Sequence, residues 1–199
     1  MFLSAAEPSK PAPRPRADAL RNREKLLEVA AAAFSAHGVE TSLDDIARQA
    51  GVGIGTLYRH FPSREHLVEA VYRRELESLA AAADLLAARH PADVALEEWM
   101  RRFVSYIAAK RGMAASLKVL MSANSGLFSD ATNRIRAALE HLRAKAAAEG
   151  LIRADVETTD LLHALSGIYS MPDLPDWRDR CHRLIGLLMD GLRTGAQRR

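Results

Sequence analysis

A chain of 199 residues, 48% of them hydrophobic, is long enough for one or two domains with cores of their own. Aromatics make up only 6%, Ala and Leu dominate, and β-branched runs are scarce, which favours an all-α fold over a sheet. No run of about 18 apolar residues occurs, which excludes a membrane-spanning helix, and a net charge of +3 is too mild an excess to establish a nucleic-acid partner by itself. Cys181 can form no internal disulfide, which fits a reducing, cytoplasmic compartment. The opening apolar patch is too short for a signal peptide, and basic residues follow it rather than precede it.

Residues 1–17 are rich in Pro, Ala and Arg. Pro8, Pro11, Pro13 and Pro15 favour an extended, solvated segment. With Lys10, Arg14, Arg16, Arg21, Arg23 and Lys25 it reads either as an arm that reaches DNA phosphates or the minor groove, or as a solvated tail. A first helix is expected over 18–37, ending at Gly38, with Leu20, Leu27, Ala30, Ala31 and Phe34 on one face. The stretch 42–65 then organises the chain. Ser42 suits an N-cap, and Asp45 three residues on suggests a capping box. A short helix ends at Gly51, Val52-Gly53 turn, and Ile54 to His60 form a second short helix. Two short helices around a glycine-bearing turn are a helix-turn-helix signature, with Ala47, Val52 and Leu57 as the residues that lock the pair.

The outward residues of the second helix suit DNA. Gly55 inside a helix costs about 1 kcal/mol relative to Ala, a cost tolerated where a backbone must approach a surface closely. Thr56 offers a hydroxyl and a methyl, Tyr58 and His60 can donate to phosphates, and Arg59 can reach a phosphate or a guanine edge. Tyr58 has the alternative of packing against the first helix, and His60 of acting as a local cap. Pro62 ends the helix and Ser63 caps the next, with Arg64 in its first turn beside free backbone N–H groups, as a phosphate clamp.

This stretch resembles the TetR (tetracycline-repressor-like) family of transcriptional regulators. The likeness rests on A-F-x-x-x-G at Ala33–Gly38, T-S-L-D-D-I-A at Thr41–Ala47, A-G-V-G-I-G-T-L-Y-R-H-F at Ala50–Phe61 and P-S-R-E at Pro62–Glu65. It implies a dimer that binds a palindromic double-stranded DNA operator and is released by a small-molecule effector. It puts Gly55, Thr56, Tyr58 and Arg59 in groove-facing positions, and Thr41, Ser42, Tyr58, His60 and Arg64 in phosphate-facing ones. Many members carry Ser-Lys where this chain has Gly53-Ile54, so a contact by that Lys is absent and Ile54 meets a thymine methyl instead.

A helix over 63–89 follows without a breaker, carrying Leu67, Val68, Val71, Tyr72, Leu76 and Leu79. It is expected to join the head to a second region as one rigid element. Helices are expected over 93–110, broken by Gly112, and over 113–123. A turn at 124–126, an apolar plug at Leu127-Phe128 and a cap at Ser129 then precede a helix over 130–149. Trp99, Phe103, Tyr106, Leu117, Met121, Phe128 and Tyr169 are the candidate lining of an effector cavity, with plain core as the alternative for each. His141 and His163 have no metal-spaced partners, so no metal or cofactor is expected.

The last two helices, over 155–171 and from Asp176 to about 194, flank a loop at 172–175. Leu162, Leu165, Cys181, Leu184, Ile185, Leu188 and Leu192 are the candidate homodimer interface, and Leu187 widens the stripe beyond what one neighbour would cover. An intrachain hairpin in a monomer is the alternative. Three parts are therefore expected: a basic arm (1–17), a DNA-binding head (18–65) and a helical ligand-binding and dimerisation region (66–199), all-α with about nine helices. The expected function is a ligand-responsive repressor released by a mainly apolar molecule. A ligand-independent DNA-binding protein is the alternative. An all-helical enzyme is the more distant one, since no paired acids, phosphate-cradling loop or nucleophile motif stands out.

Overall fold

Helix boundaries follow from caps and glycines along the chain. The computed structural model describes residues 15–123, 125–170 and 175–195, with side chains described over the same residues except 15–16, 121–129 and 169. Among the described residues there are nine helices: α1 (Pro15–His37), α2 (Leu43–Gln49), α3 (Ile54–His60), α4 (Arg64–Arg89), α5 (Ala92–Gly112), α6 (Ala114–Ala123), α7 (Ser125–Ala148), α8 (Thr158–Tyr169) and α9 (Trp177–Arg193).

α1 starts at Pro15, three residues before the expected Asp18, since proline is tolerated in a first turn where its missing N–H has no intrahelical partner. It ends at Gly38, whose φ of +81° is open to glycine without strain and whose N–H donates to Phe34 O at 3.0 Å. Ser42 caps α2 by accepting the Asp45 N–H, but the Asp45 carboxylate pairs with Arg48, so only half of the expected capping box forms. α4 runs unbroken from its Ser63 cap for 26 residues, about 39 Å.

Two further boundaries differ from the sequence reading. Residues 125–148 form one helix, with Gly126 inside it, rather than a turn, a plug and a helix capped at Ser129. α8 begins at Thr158 rather than near Asp155. Asp155 is held outside by Arg153 at 2.7 Å, and the Asp160 carboxylate accepts the Glu157 N–H at 3.2 Å, fixing the start there.

The apolar core is continuous from Leu26 in α1 to Leu192 in α9, and α5 is central to it, packing on α1, α4, α6, α7 and α9. Trp99 of α5 donates its indole N–H to Leu79 O of α4 at 2.9 Å, and the Tyr106 and Tyr72 hydroxyls meet at 3.2 Å. Both contacts satisfy polar atoms that burial would otherwise strand.

Gly112 does not break α5; it is its last residue, and it marks a close backbone approach. A Cβ built there would stand 1.9 Å from the Phe34 carbonyl oxygen of α1. Beside it, Arg178 of α9 donates to Ser35 Oγ at 2.7 Å, and the Arg111 guanidinium lies 4.4 Å from the centre of the Trp177 ring. The ends of α1 and α5 and the start of α9 therefore converge behind the helix-turn-helix, and the core runs across residue 65 without interruption.

Candidate nucleic-acid interface and effector region

The turn between α2 and α3 is closed by backbone bonds. Gly51, at φ +71°, donates to Arg48 O at 3.1 Å, and Val52 donates to Ala47 O at 3.0 Å. Ala47 and Leu57 are buried, and Val52 packs against them as a half-buried neighbour. Leu57 is the buried residue of α3, so the helix is seated by one side chain and the rest of it faces outward. Gly55, Tyr58 and Arg59 are exposed; Ile54, Thr56 and His60 are half-buried. Tyr58 is 48% exposed, so it does not pack into α1. A Cβ on Gly55 would have no atom within 4 Å. Nothing in the chain's own packing explains a glycine at this position.

The flanking residues are more committed than the sequence reading expects. The Thr41 hydroxyl donates to Gly38 O at 2.9 Å, and Ser42 Oγ is engaged as the cap of α2. Arg64 was expected to stand beside the free N–H groups of α4. Its Nη1 instead donates to the carbonyls of Val39 and Thr41, the latter at 2.7 Å, so it braces the loop before α2. His60 lies against Phe61, with ring centres 6.2 Å apart, and Arg23 of α1 sits over the same Phe61 ring at 5.5 Å. Arg74 of α4 reaches Glu24 of α1 at 3.3 Å. These ties hold the head to α4. Arg21 is paired with Asp18, while Lys10, Arg14 and the Arg16 side chain lie outside the described residues.

In the C-terminal half, the candidate cavity residues part company. Trp99, Phe103 and Tyr106 are core: each is buried, and their rings pack in series at 5.8 and 5.4 Å. Burial and the Tyr72 hydroxyl push the Tyr106 phenol far above its ordinary range. Leu117 is buried as well, and it also lines a groove of about 390 Å³ between α5, α6 and α8. The side chains of Met121, Phe128 and Tyr169 lie outside the described residues. His141 is half-exposed and 3.7 Å from Asp84, and His163 is exposed. No group of three metal-binding side chains occurs among the described residues.

The expected dimer stripe also divides. Leu165, Cys181, Ile185 and Leu192 are buried within the protomer, where α8 packs on α7, α9 on α5, and the two on each other. Burial raises the Cys181 thiol above its ordinary range, as suits an inert packed sulfur. Leu162, Leu184 and Leu188 are half-buried, and Leu187 is 68% exposed. The outward apolar row is thus Leu184, Leu187 and Leu188, one register away from the buried one.

Comparison with known proteins agrees with this architecture. Residues 26–71 match the bacterial regulatory proteins of the tetR family, and residues 90–194 match the C-terminal domain of SbtR-like transcriptional regulators. Among solved structures, the TetR transcriptional regulator SCO0520 from Streptomyces coelicolor is 44% identical, with a TM-score of 0.80, covering 87% of this chain and 99% of that one. A TetR transcription regulatory protein from Mycobacterium vanbaalenii is 36% identical, with a TM-score of 0.72, covering 90% of this chain and 99% of that one. The HTH-type transcriptional regulator SAB2452 from Staphylococcus aureus is 42% identical over 64 residues, 32% of this chain. That match spans 35% of the curated relative's length, so it speaks for the head alone. With one family model spanning residues 90–194 and a relative 44% identical over nearly all of its own length, the chain belongs to the TetR family of transcriptional regulators.

Proposed function

We propose that the protein is a ligand-responsive repressor that binds a palindromic operator as a homodimer. The observation that carries the DNA-binding part is α3: one buried leucine seats it, while Gly55, Tyr58 and Arg59 stand free on its outer face. Gly55 lets the backbone approach the major-groove floor, and Arg59 reaches a base edge or phosphate. Ile54 and Thr56 supply apolar contact, and Tyr58 and His60 supply donors to the backbone. Thr41 and Ser42 take part through the loop that Arg64 braces, so Arg64 serves as a positioning residue for the phosphate-facing loop.

The outward row Leu184, Leu187 and Leu188, extended by Leu162 of α8, supports the dimer: an exposed leucine among half-buried ones is apolar surface that a second copy would cover. Two heads held roughly 34–36 Å apart read half-sites one DNA turn apart. Effector binding in the body reaches the head by two routes. One is α4, which belongs to both; the other is the α5 end, where Gly112 lies against Phe34 of α1. A shift of either tilts the α3 pair.

The test is gel-shift binding to DNA flanking the encoding gene, with the native protein and with Tyr58→Ala. Specific binding by the native chain at moderate salt is expected. Tyr58→Ala should weaken it by roughly tenfold to a hundredfold, the scale of one hydrogen bond to a charged group. Unchanged affinity would count against the interface.

A further inference from the structure

We propose that the groove between α5, α6 and α8 is the effector site, and that the effector it takes is an amphipathic anion, a carboxylate or phosphate carried on an apolar body. The proposal rests on the ligand-responsive reading above and narrows it to one ligand chemistry. The floor of the groove is apolar, from Ile107 and Leu117, and its volume of about 390 Å³ suits a small organic molecule. Its rim is cationic: Lys110 and Arg111 close α5, and Lys118 lies one turn into α6. Among the described residues, no Asp or Glu lines it. The α8 wall adds only Ser166 and Ser170, whose hydroxyls already donate to the carbonyls of Leu162 and Ser166 at 2.7 and 2.9 Å.

The charge is a property of the whole segment. Between Glu98 and Asp130 the chain holds Arg101, Arg102, Lys110, Arg111 and Lys118, and no acidic residue. Arg101 is paired with Glu97, and Arg111 lies over Trp177. Among the described residues, the Lys110 and Lys118 side chains have no ion-pair or hydrogen-bond partner. Lys110 is also half-buried, and burial pulls its ammonium below the ordinary lysine range. A half-buried cation over an apolar floor, with no counter-ion among the described residues, suits an anion carried on an apolar body. Its position gives binding a consequence. Lys110 and Arg111 immediately precede Gly112, so an anion that draws this turn of α5 toward α6 moves the backbone lying against Phe34.

Four probes with a ten-carbon chain separate the head-group chemistries: decanoate, decyl phosphate, decanol and decyltrimethylammonium. Their affinities are measured by calorimetry on the full chain, alongside gel shifts with each probe added. The two anions should bind at least about tenfold more tightly than the other two, as one desolvated charge pair implies, and should lower DNA affinity. The better of the two names the head group. Lys110→Met keeps the stem and removes the charge; it should cut anion affinity about tenfold and leave decanol unchanged, while Lys110→Arg retains binding and Lys118→Met falls between. Equal affinity for all four probes, or anion binding indifferent to both lysine changes, overturns the proposal. So does anion binding that leaves DNA affinity unchanged. If Lys110→Met alters sedimentation instead of probe affinity, the groove belongs to a second copy of the chain and the proposal falls. Loss of DNA binding without any probe present would sink the repressor reading, whereas calorimetry would still decide the site.

Discussion

Gly55 lies within α3 and Gly112 is the last residue of α5, and a methyl group would meet opposite surroundings at the two. At Gly112 it would collide with the Phe34 carbonyl at 1.9 Å; at Gly55 it would have no neighbour within 4 Å. Glycine costs about 1 kcal/mol in a helix interior such as that of α3 and less at a helix end such as that of α5. The reason for tolerating it lies inside the molecule at Gly112, where head and body touch backbone to backbone. At Gly55 no reason exists inside the molecule. Packing inside the molecule therefore accounts for the glycine at Gly112 and does not account for the one at Gly55.

The largest effect that sharpens this contrast is Gly112→Ala. The clash is with backbone, which cannot swing aside like a side-chain tip, so α5 or α1 must shift. A stability loss of about 3 kcal/mol is expected, at the upper end for overpacking, read by urea denaturation. DNA binding should fall as well, since α1 supports the α2–α3 pair. A variant as stable as the native chain would mean that the two ends do not touch in solution.

Next is Leu187→Arg, which tests the outer face of the body as Gly55 tests that of the head. The residue is 68% exposed in the protomer, so the folded monomer should keep its stability. In a dimer seam the same change would bury an unpaired charge, and dimer affinity should fall by about a hundredfold, seen by sedimentation. Ile185→Arg serves as the contrast. Ile185 is fully buried within the protomer, so its replacement should unfold the chain rather than release a partner. If Leu187→Arg leaves the dimer intact, the α9 row is not the seam.

How far each region was legible in the sequence follows from how local its determinants are. The α3 limits, Ile54 to His60, were readable because Gly53, Pro62 and the spacing of Leu57 fix them within a few residues. The exposure of Tyr58 followed from that same register. The bracing contact of Arg64 is not legible locally, because its acceptors, the carbonyls of Val39 and Thr41, lie more than twenty positions back in the chain. In the body the ambiguity is of another kind. Trp99, Phe103 and Tyr106 would look the same in a core and in a cavity. The α9 row of Cys181, Ile185 and Leu192 repeats at the same helical period as the neighbouring row of Leu184, Leu187 and Leu188. Periodicity alone does not say which row faces the protomer. The half-burial of Lys110 is not legible in the sequence, because a lysine near a helix end reads as solvated unless neighbouring helices enclose it.

The smallest change in stability belongs to Gly55→Ala, and its sign is what matters. With open space around the new methyl and helical backbone beneath it, alanine should stabilise the head by about 0.5 kcal/mol, because the unfolded chain loses freedom and nothing folded is disturbed. Operator affinity should move the other way, since the methyl stands between the α3 backbone and the groove. A rise in melting temperature together with weaker DNA binding separates a glycine kept for a partner from one kept for packing. If affinity holds while stability rises, α3 approaches DNA through Tyr58 and Arg59 side chains at a distance, and the close-backbone docking of this helix is wrong. Gly112→Ala cannot give that pattern, because there stability and binding fall together through one clash.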